Sequence, residues 1–399
     1  MKLLLIHPTF HPVPGGIEGT MRLHAESLSR LGHEVTVLTG EGTASLDSYK
    51  VVAVPELAPS FPLNLQVKKA VDHGQTDAYL NQFTSALLKI LETHAAGADA
   101  ILVHGALTTH HNLALTQALW LLSKTRKLIA WAHDFSPTNQ DHSIPLPDRM
   151  PWAMMRKANP QVTYVAPTQT RQGELCTVLG LKPEQVPIIP NPVAPESVLG
   201  IPATFARWLE ERKLYERDVI FYYPSRVLMR KNLDLAIQMV HGIKSAGLSA
   251  ALLATATPDP YSPSSQQYLG YLTATIQQLG LQDDVHFMSQ TLDWTEAMWS
   301  AGFRVADVLL FPSKYEAFGL PVAEAALARL PVWRLELPVV GEVDAGIATL
   351  VRDPAEAAAA VAELLQVPEH QLRKRILRYL NPHRIAQEKI LPLLKRVAS

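Results

Sequence analysis

The tract YEAFGLPVAEAALARLP (315–331) sets Glu316 and Glu324 on either side of seven residues that include Phe318, Gly319, Leu320 and Pro321. Pro321 suits the first position of a helix, where its fixed φ fits and no N–H is needed. That spacing predicts Glu316 in a loop and Glu324 in the first helical turn. Free N–H groups of such a turn attract phosphate. A carboxylate in the same place accepts hydrogen bonds from sugar hydroxyls instead. Read alone, the two carboxylates also fit plain helix capping.

Three further sets carry chemistry. SRVLMRKN (225–232) follows the apolar run VIFYYP and holds Arg226, Arg230 and Lys231. Cations at the carboxyl end of a parallel strand lie where α/β sheets bind ligands. Arg offers phosphate a fork and Lys a point charge. PVPGGIEGT (12–20) follows the first apolar run, and Gly15 and Gly16 leave the backbone bare for a close ligand. It is neither the G-x-G-x-x-G dinucleotide fingerprint nor a Walker loop. WAHDFSP (131–137) sets His133 and Asp134 at a strand end, where His133 can donate to a substrate hydroxyl. The plainer readings are a solvated basic loop, a flexible turn and a structural histidine.

Eleven of the 15 histidines precede residue 143. His104, His110 and His111 cluster, but no carboxylate or cysteine spacing beside them completes a metal pattern. The chain has no Asp-x-Asp. No metal and no cofactor are expected.

Strands and helices must position these groups. KLLLI, HEVTVLT, AILVHG (100–105), KLIAWAHD (127–134), TYVAPT (163–168) and VPIIPN (186–191) read as strands of a first half. DVIFYYPS (218–225), SAALLATA (249–256), DVHFMS (284–289) and ADVLLFPS (306–313) read as strands of a second. Helical patterns lie between them, near 112–123, 232–246, 264–279 and 321–330. Alternation of this kind predicts open, mostly parallel sheets. The pattern restarts after the Pro-rich segment 191–202. Two domains follow, 1–195 and 196–380, with a last helix near 382–397 free to pack back on the first.

The chain has 399 residues, 47% of them hydrophobic and 18% charged, which excludes disorder as its main character. A formal charge of −1 supplies no global field for nucleic acid or an anionic membrane. The single cysteine, Cys176, cannot form an intrachain disulfide and fits a reducing compartment. No apolar run reaches the roughly 18–20 residues that span a bilayer. The expected location is cytoplasmic, with peripheral contact at the inner face of the membrane as the alternative. MPWAMMRKANP (150–160) is the one segment with membrane-facing chemistry, and an amphipathic packing helix is its preferred reading.

Taken together, the Gly pair, the His-Asp pair, the Arg and Lys loop and the spaced glutamates resemble the retaining glycosyltransferases of family 4. The resemblance runs from GGIEGTMRLHAESLSRLGHEVTVLT to the glutamate motif. It implies an α/β fold of the GT-B architecture, with two Rossmann-like doubly wound domains facing across a cleft. It implies transfer of a hexosyl group, with retention and without a metal, from a nucleotide-diphosphate sugar of UDP-glucose or GDP-mannose type to a hydroxyl acceptor. Under it, Glu316 and the backbone of Phe318, Gly319 and Leu320 hold the donor sugar, and Glu324 binds the ribose. Arg226 and Lys231 bind the diphosphate. Gly15 and Gly16 lie close to the phosphates and acceptor, and His133 sits beside the sugar with Asp134 orienting its loop.

The chain departs from the usual pattern at Pro192, Ser225, Trp333 and Arg334. A GT-B sugar-nucleotide epimerase and a non-catalytic sugar-nucleotide-binding partner subunit are the competing classes. The acceptor stays open among saccharides, small molecules and lipid-linked groups.

Overall fold

The computed structural model describes residues 1–43, 48–76, 78–142, 144 and 146–398. The chain forms two compact units, Met1–Val193 with Leu380–Ser399, and Ala194–Tyr379.

The first unit runs β1 (Lys2–Ile6), α1 (Gly16–Arg30), β2 (Glu34–Thr39), β3 (Lys50–Ala53), α2 (Pro62–Asp72), α3 (Ala78–Ala95), β4 (Ala100–His104), α4 (Leu113–Leu122), β5 (Leu128–Trp131), β6 (Val162–Val165) and α5 (Gln169–Leu179). Its six strands are all parallel, in the order β3-β2-β1-β4-β5-β6. β1 shows why a continuous apolar run makes such a strand. Leu4 and Ile6 enter one core layer, and Leu3 and Leu5 enter the other. Each buried side chain contributes about 1.5–3 kcal/mol relative to exposure.

The second unit opens with α6 (Pro195–Leu199) and α7 (Ala203–Glu211). It continues through β7 (Val219–Tyr223), β8 (Arg226–Val227), α8 (Leu233–Ser245), β9 (Ala250–Ala254), β10 (Thr257–Pro258), α9 (Pro263–Gln278), β11 (Val285–Phe287), α10 (Glu296–Val305) and β12 (Val308–Phe311). It closes with α11 (Leu320–Leu327), β13 (Val332–Arg334), α12 (Pro338–Val343), β14 (Thr349–Leu350), α13 (Pro354–Leu364) and α14 (Pro368–Tyr379). The main sheet is again parallel, in the order β11-β9-β7-β12-β13-β14, and β8 pairs with β10 beside it. All five residues of β7 are buried.

Each sheet therefore has the strand order 3-2-1-4-5-6 of a doubly wound fold, reversing at β1/β4 and at β7/β12. The final stretch, α15 (Pro382–Ile385), a π-helical turn at Ala386–Ile390 and α16 (Leu391–Ala398), returns to the first unit. There Ile385, Ile390 and Leu394 join Leu3, Met21 and Leu28 in one core.

Several sequence expectations need correction. The segment 186–191 is not a strand; only an isolated bridge, Ala166 to Ile188, forms. Pro187 and Pro190 remove the N–H groups a ladder needs. The segment 150–160 is not an amphipathic helix. It forms a short 3-10 turn, Trp152–Arg156, with Trp152, Met154 and Met155 buried and Met150 about half exposed. Among the described residues no helix is long and apolar enough to cross a membrane.

Candidate active site

The loops after β7 and β12 meet in the second unit. Asn232, in the left-handed conformation at φ 58°, donates its amide to Pro312 O at 3.0 Å. The Tyr223 hydroxyl donates to Lys231 O at 2.6 Å and lies 2.8 Å from Ser313 Oγ. Lys314 N–H donates to Arg230 O at 2.8 Å, and Arg230 Nη1 donates to Tyr315 O at 3.1 Å. These bonds hold Lys231 against Glu316. Lys231 Nζ donates to Glu316 Oε1, and Arg230 Nη1 lies 3.5 Å from Glu316 Oε2. Burial pulls the Lys231 pKa down against the raising effect of Glu316, and the ammonium lies 5.7 Å from the Phe311 ring centre.

Arg226 sits on the facing wall, more than half exposed, 3.7 Å from Asp259 Oδ2. Thr255 sets its backbone. The Ser225 N–H donates to Thr255 Oγ1 at 2.8 Å, and Thr255 Oγ1 donates to Ser225 O at 2.8 Å. The chain at Ser225 is thus positioned by a threonine that sequence reasoning did not single out.

A cavity of about 580 Å³ opens here, lined by Arg226, Lys231, Thr255, Asp259, Trp299 and Glu324 among others. Glu324 is the fifth residue of α11, not in its first turn, and Pro321 is the second residue, not the first. Gly319 explains both shifts: at φ 97° it is the cap, which only glycine adopts readily, and the helix starts at Leu320. Glu324 Oε2 is buried with no hydrogen-bond partner among the described residues. An unsatisfied carboxylate oxygen on a cavity wall asks for a donor such as a hydroxyl. Phe318 and Leu320 are exposed beside it.

Two departures from the family pattern have structural reasons. Trp333 is buried against Phe221, ring centres 5.5 Å apart. Arg334 forks onto Asp344, Nε to Oδ2 at 2.5 Å and Nη2 to Oδ1 at 3.0 Å.

Gly15, Gly16 and His133 belong to the first unit. Gly15 caps α1 and Gly16 begins it. A side chain at Gly15 would collide with the Glu18 carboxylate, which folds over it. His133 Nε2 lies 2.9 Å from His104 Nδ1, in a stack of rings that also includes Trp131 and His24. Burial lowers His24 and His133 to about 3 and His104 well below its usual range, so the stack is neutral. Asp134 accepts from Phe135 N–H at 2.8 Å and from the Asn139 amide at 2.9 Å, which holds its loop. Among the described residues no three His, Cys, Asp or Glu side chains gather as metal ligands. Sequence reasoning also missed Asp259, Trp299 and His7. His7 and Asp259 directly follow strand ends, and that position was the available signal; Trp299 lies within α10 and had none.

Two parallel α/β units with this strand order and these loop-borne groups define the GT-B class. The family description "Glycosyltransferase Family 4" matches residues 14–197, and "Glycosyl transferases group 1" matches 205–379. The chain belongs to the glycosyltransferases of family 4. It is 21% identical over 264 residues to mannosylglucosylglycerate synthase of Petrotoga mobilis, covering 60% of each chain. The match thus spans about three-fifths of that relative's length. Among solved structures, the sucrose-phosphate synthase of Thermosynechococcus elongatus is 19% identical with a TM-score of 0.42, each chain being covered fully. The Anabaena HepE protein in complex with UDP is 16% identical with a TM-score of 0.36, over 99% of this chain and 100% of that one.

Proposed function

We propose that the protein transfers a hexosyl group from a nucleotide-diphosphate sugar to a hydroxyl acceptor, with retention of configuration. The observation that carries this reading is the cavity of the second unit, where two cations face a carboxylate with an unpartnered oxygen. Arg226 and Lys231 hold the diphosphate. Glu324 accepts from the ribose hydroxyls, and Glu316 accepts from the donor sugar.

Breaking the sugar–phosphate bond puts negative charge on the leaving diphosphate and oxocarbenium character on the sugar. Lys231, Arg226 and the N-terminus of α11 stabilise that charge as it forms. The cations supply this positive charge from the chain itself, so no metal is required. The two carboxylates lining the cavity are given other work in this reading, Asp259 beside Arg226 and Glu324 on the ribose, which leaves no nucleophile for a double displacement. The acceptor hydroxyl therefore attacks from the face the leaving group departs from, and the leaving phosphate takes its proton. UDP-glucose and GDP-mannose are the first donors to try.

Titration calorimetry with UDP, GDP and their sugar conjugates tests the reading. One nucleotide should bind, and Glu324→Ala should weaken it about tenfold, the worth of a charge-assisted hydrogen bond. A folded protein that binds none of them uses no UDP- or GDP-sugar donor, and one that binds a nucleotide sugar without transferring it is the non-catalytic partner subunit. Product released without an acceptor, as an altered nucleotide sugar, would identify an epimerase.

A further inference from the structure

The first unit has its own cavity at its own strand reversal. It measures about 410 Å³ and lies where β1 and β4 end, with His7, Gly105 and Asp134 in its wall. Its geometry turns on His7. The Nδ1 of His7 stands 2.7 Å from the main-chain oxygen of His104. A carbonyl only accepts, so Nδ1 carries the hydrogen. In the neutral ring Nε2 is then a bare lone pair, held in place by backbone. Glu18 Oε1, which accepts from Thr9 Oγ1 at 2.5 Å, lies 3.9 Å from Nε2. With the ring neutral, both atoms are acceptors, and the place suits a donor such as a hydroxyl. Gly105 lies beside the ring at φ +73°, a conformation that favours glycine.

The rest of the wall agrees. Pro8, Ile17 and Pro59 offer an apolar floor, and Asn64, Lys68 and Asn112 bring polar groups around it. A pyranose has just this division, with C–H faces and an equator of hydroxyls. The volume is at the small end of ligand pockets, roughly 300–1,000 Å³. It holds one or two sugar rings and not a long lipid tail. The one sequence segment with lipid-facing chemistry is buried at Trp152, Met154 and Met155.

We infer that this cavity takes a saccharide-sized polyol as the acceptor, and that His7 Nε2 accepts the hydrogen of one of its hydroxyls. The inference rests on the transferase reading above. His7 orients the hydroxyl and takes no proton from it.

Nitrogen-15 NMR of the histidine side chains reads the tautomer directly. At pH 7 His7, identified by its loss in His7→Phe, should be neutral with hydrogen on Nδ1. Hydrogen on Nε2 would overturn the inference. Saturation-transfer NMR on the full chain with saturating UDP or GDP reads the ligand. The probes are glucose, glucose 6-phosphate, glucosylglycerate, its neutral counterpart glucosylglycerol, and farnesyl phosphate. At least one saccharide should receive saturation, with the signal lost in His7→Phe and partly kept in His7→Gln, while nucleotide affinity stays within twofold. Transfer to farnesyl phosphate alone, to no saccharide, or unchanged in His7→Phe overturns it. Nucleotide binding separates the two levels: if wild type binds no nucleotide, the transferase reading falls and takes this inference with it.

Discussion

Lys231 Nζ donates to Glu316 Oε1, joining the turn after β8 to the loop after β12 through an ion pair whose side chains are both nearly covered, 12% and 8% exposed. The same ammonium is the group placed to meet the donor diphosphate. Phosphate oxygens and Glu316 therefore compete for it.

Lys231→Met should weaken UDP or GDP binding about ten- to a hundredfold, since a hydrogen bond to a charged group contributes about 1.5–3 kcal/mol. Glu316→Gln should leave the nucleotide affinity equal or better, because it releases Lys231, while lowering the transfer rate. Calorimetry and turnover with the same donor separate the two. Wild-type affinity in Lys231→Met would remove that lysine from the phosphate site.

Stability should fall steeply below pH 6.5. His24 is fully buried with its pKa lowered to about 3 from 6.5, and His133 is lowered to about 3 as well. Between those values the unfolded chain binds protons that the folded chain refuses. The folded state is thus favoured in full above pH 6.5 and loses about 1.4 kcal/mol per pH unit for each imidazole as pH falls toward 3. Urea unfolding of wild type and His24→Phe at pH 7 and pH 5 checks this. The variant should lose less stability between the two; equal losses would mean that His24 is protonated in the fold.

Arg334 and Asp344 are buried partners at 5% and 9% side-chain exposure. The Arg334 hydrogen bonds hold the Asp344 carboxyl below its usual range. Removing Arg334 strips the Asp344 carboxylate of a charge-assisted pair, so Arg334→Ala should cost about 1.5–3 kcal/mol. Arg334→Leu with Asp344→Leu should recover most of that loss. A double-mutant cycle by denaturant unfolding measures the coupling, and additive losses would show that the pair is not a unit.

Much of the fold was legible because apolar runs and helical spacings are local. β1, β4, β7 and β12 stand where their apolar runs predicted them, since a strand buried on both faces needs apolar side chains at every position. The failures are local as well. Residues 186–191 are as apolar as a strand, but two prolines deny the ladder its donors. Residues 150–160 mix Trp, Met, Arg and Lys as a membrane-facing helix would, and only packing decided that the apolar part turns inward.

The motif residues were legible one by one, by type and by position at strand ends. Their partners were not. Glu316 and Lys231 are 85 residues apart, and nothing between them announces the bond. Thr255 read as part of a strand and Asp259 carried no signal of its own until β8 and β10 paired and laid them against Ser225 and Arg226. His7 read only as the loop residue that follows the first strand, KLLLI. Its tautomer depends on the carbonyl of His104, 97 residues away.

By itself, then, the sequence determined the alternation of strands and helices, the restart near 191–202 and the supply of cations, carboxylates and glycines at strand ends. Those properties follow from side-chain type, chain stiffness and spacing along the backbone. The tertiary structure decided which cation meets which carboxylate, which oxygen of Glu324 is left without a partner and which nitrogen of His7 is bare. These are distances between segments far apart in the chain, and they exist only once both sheets have set their strand order.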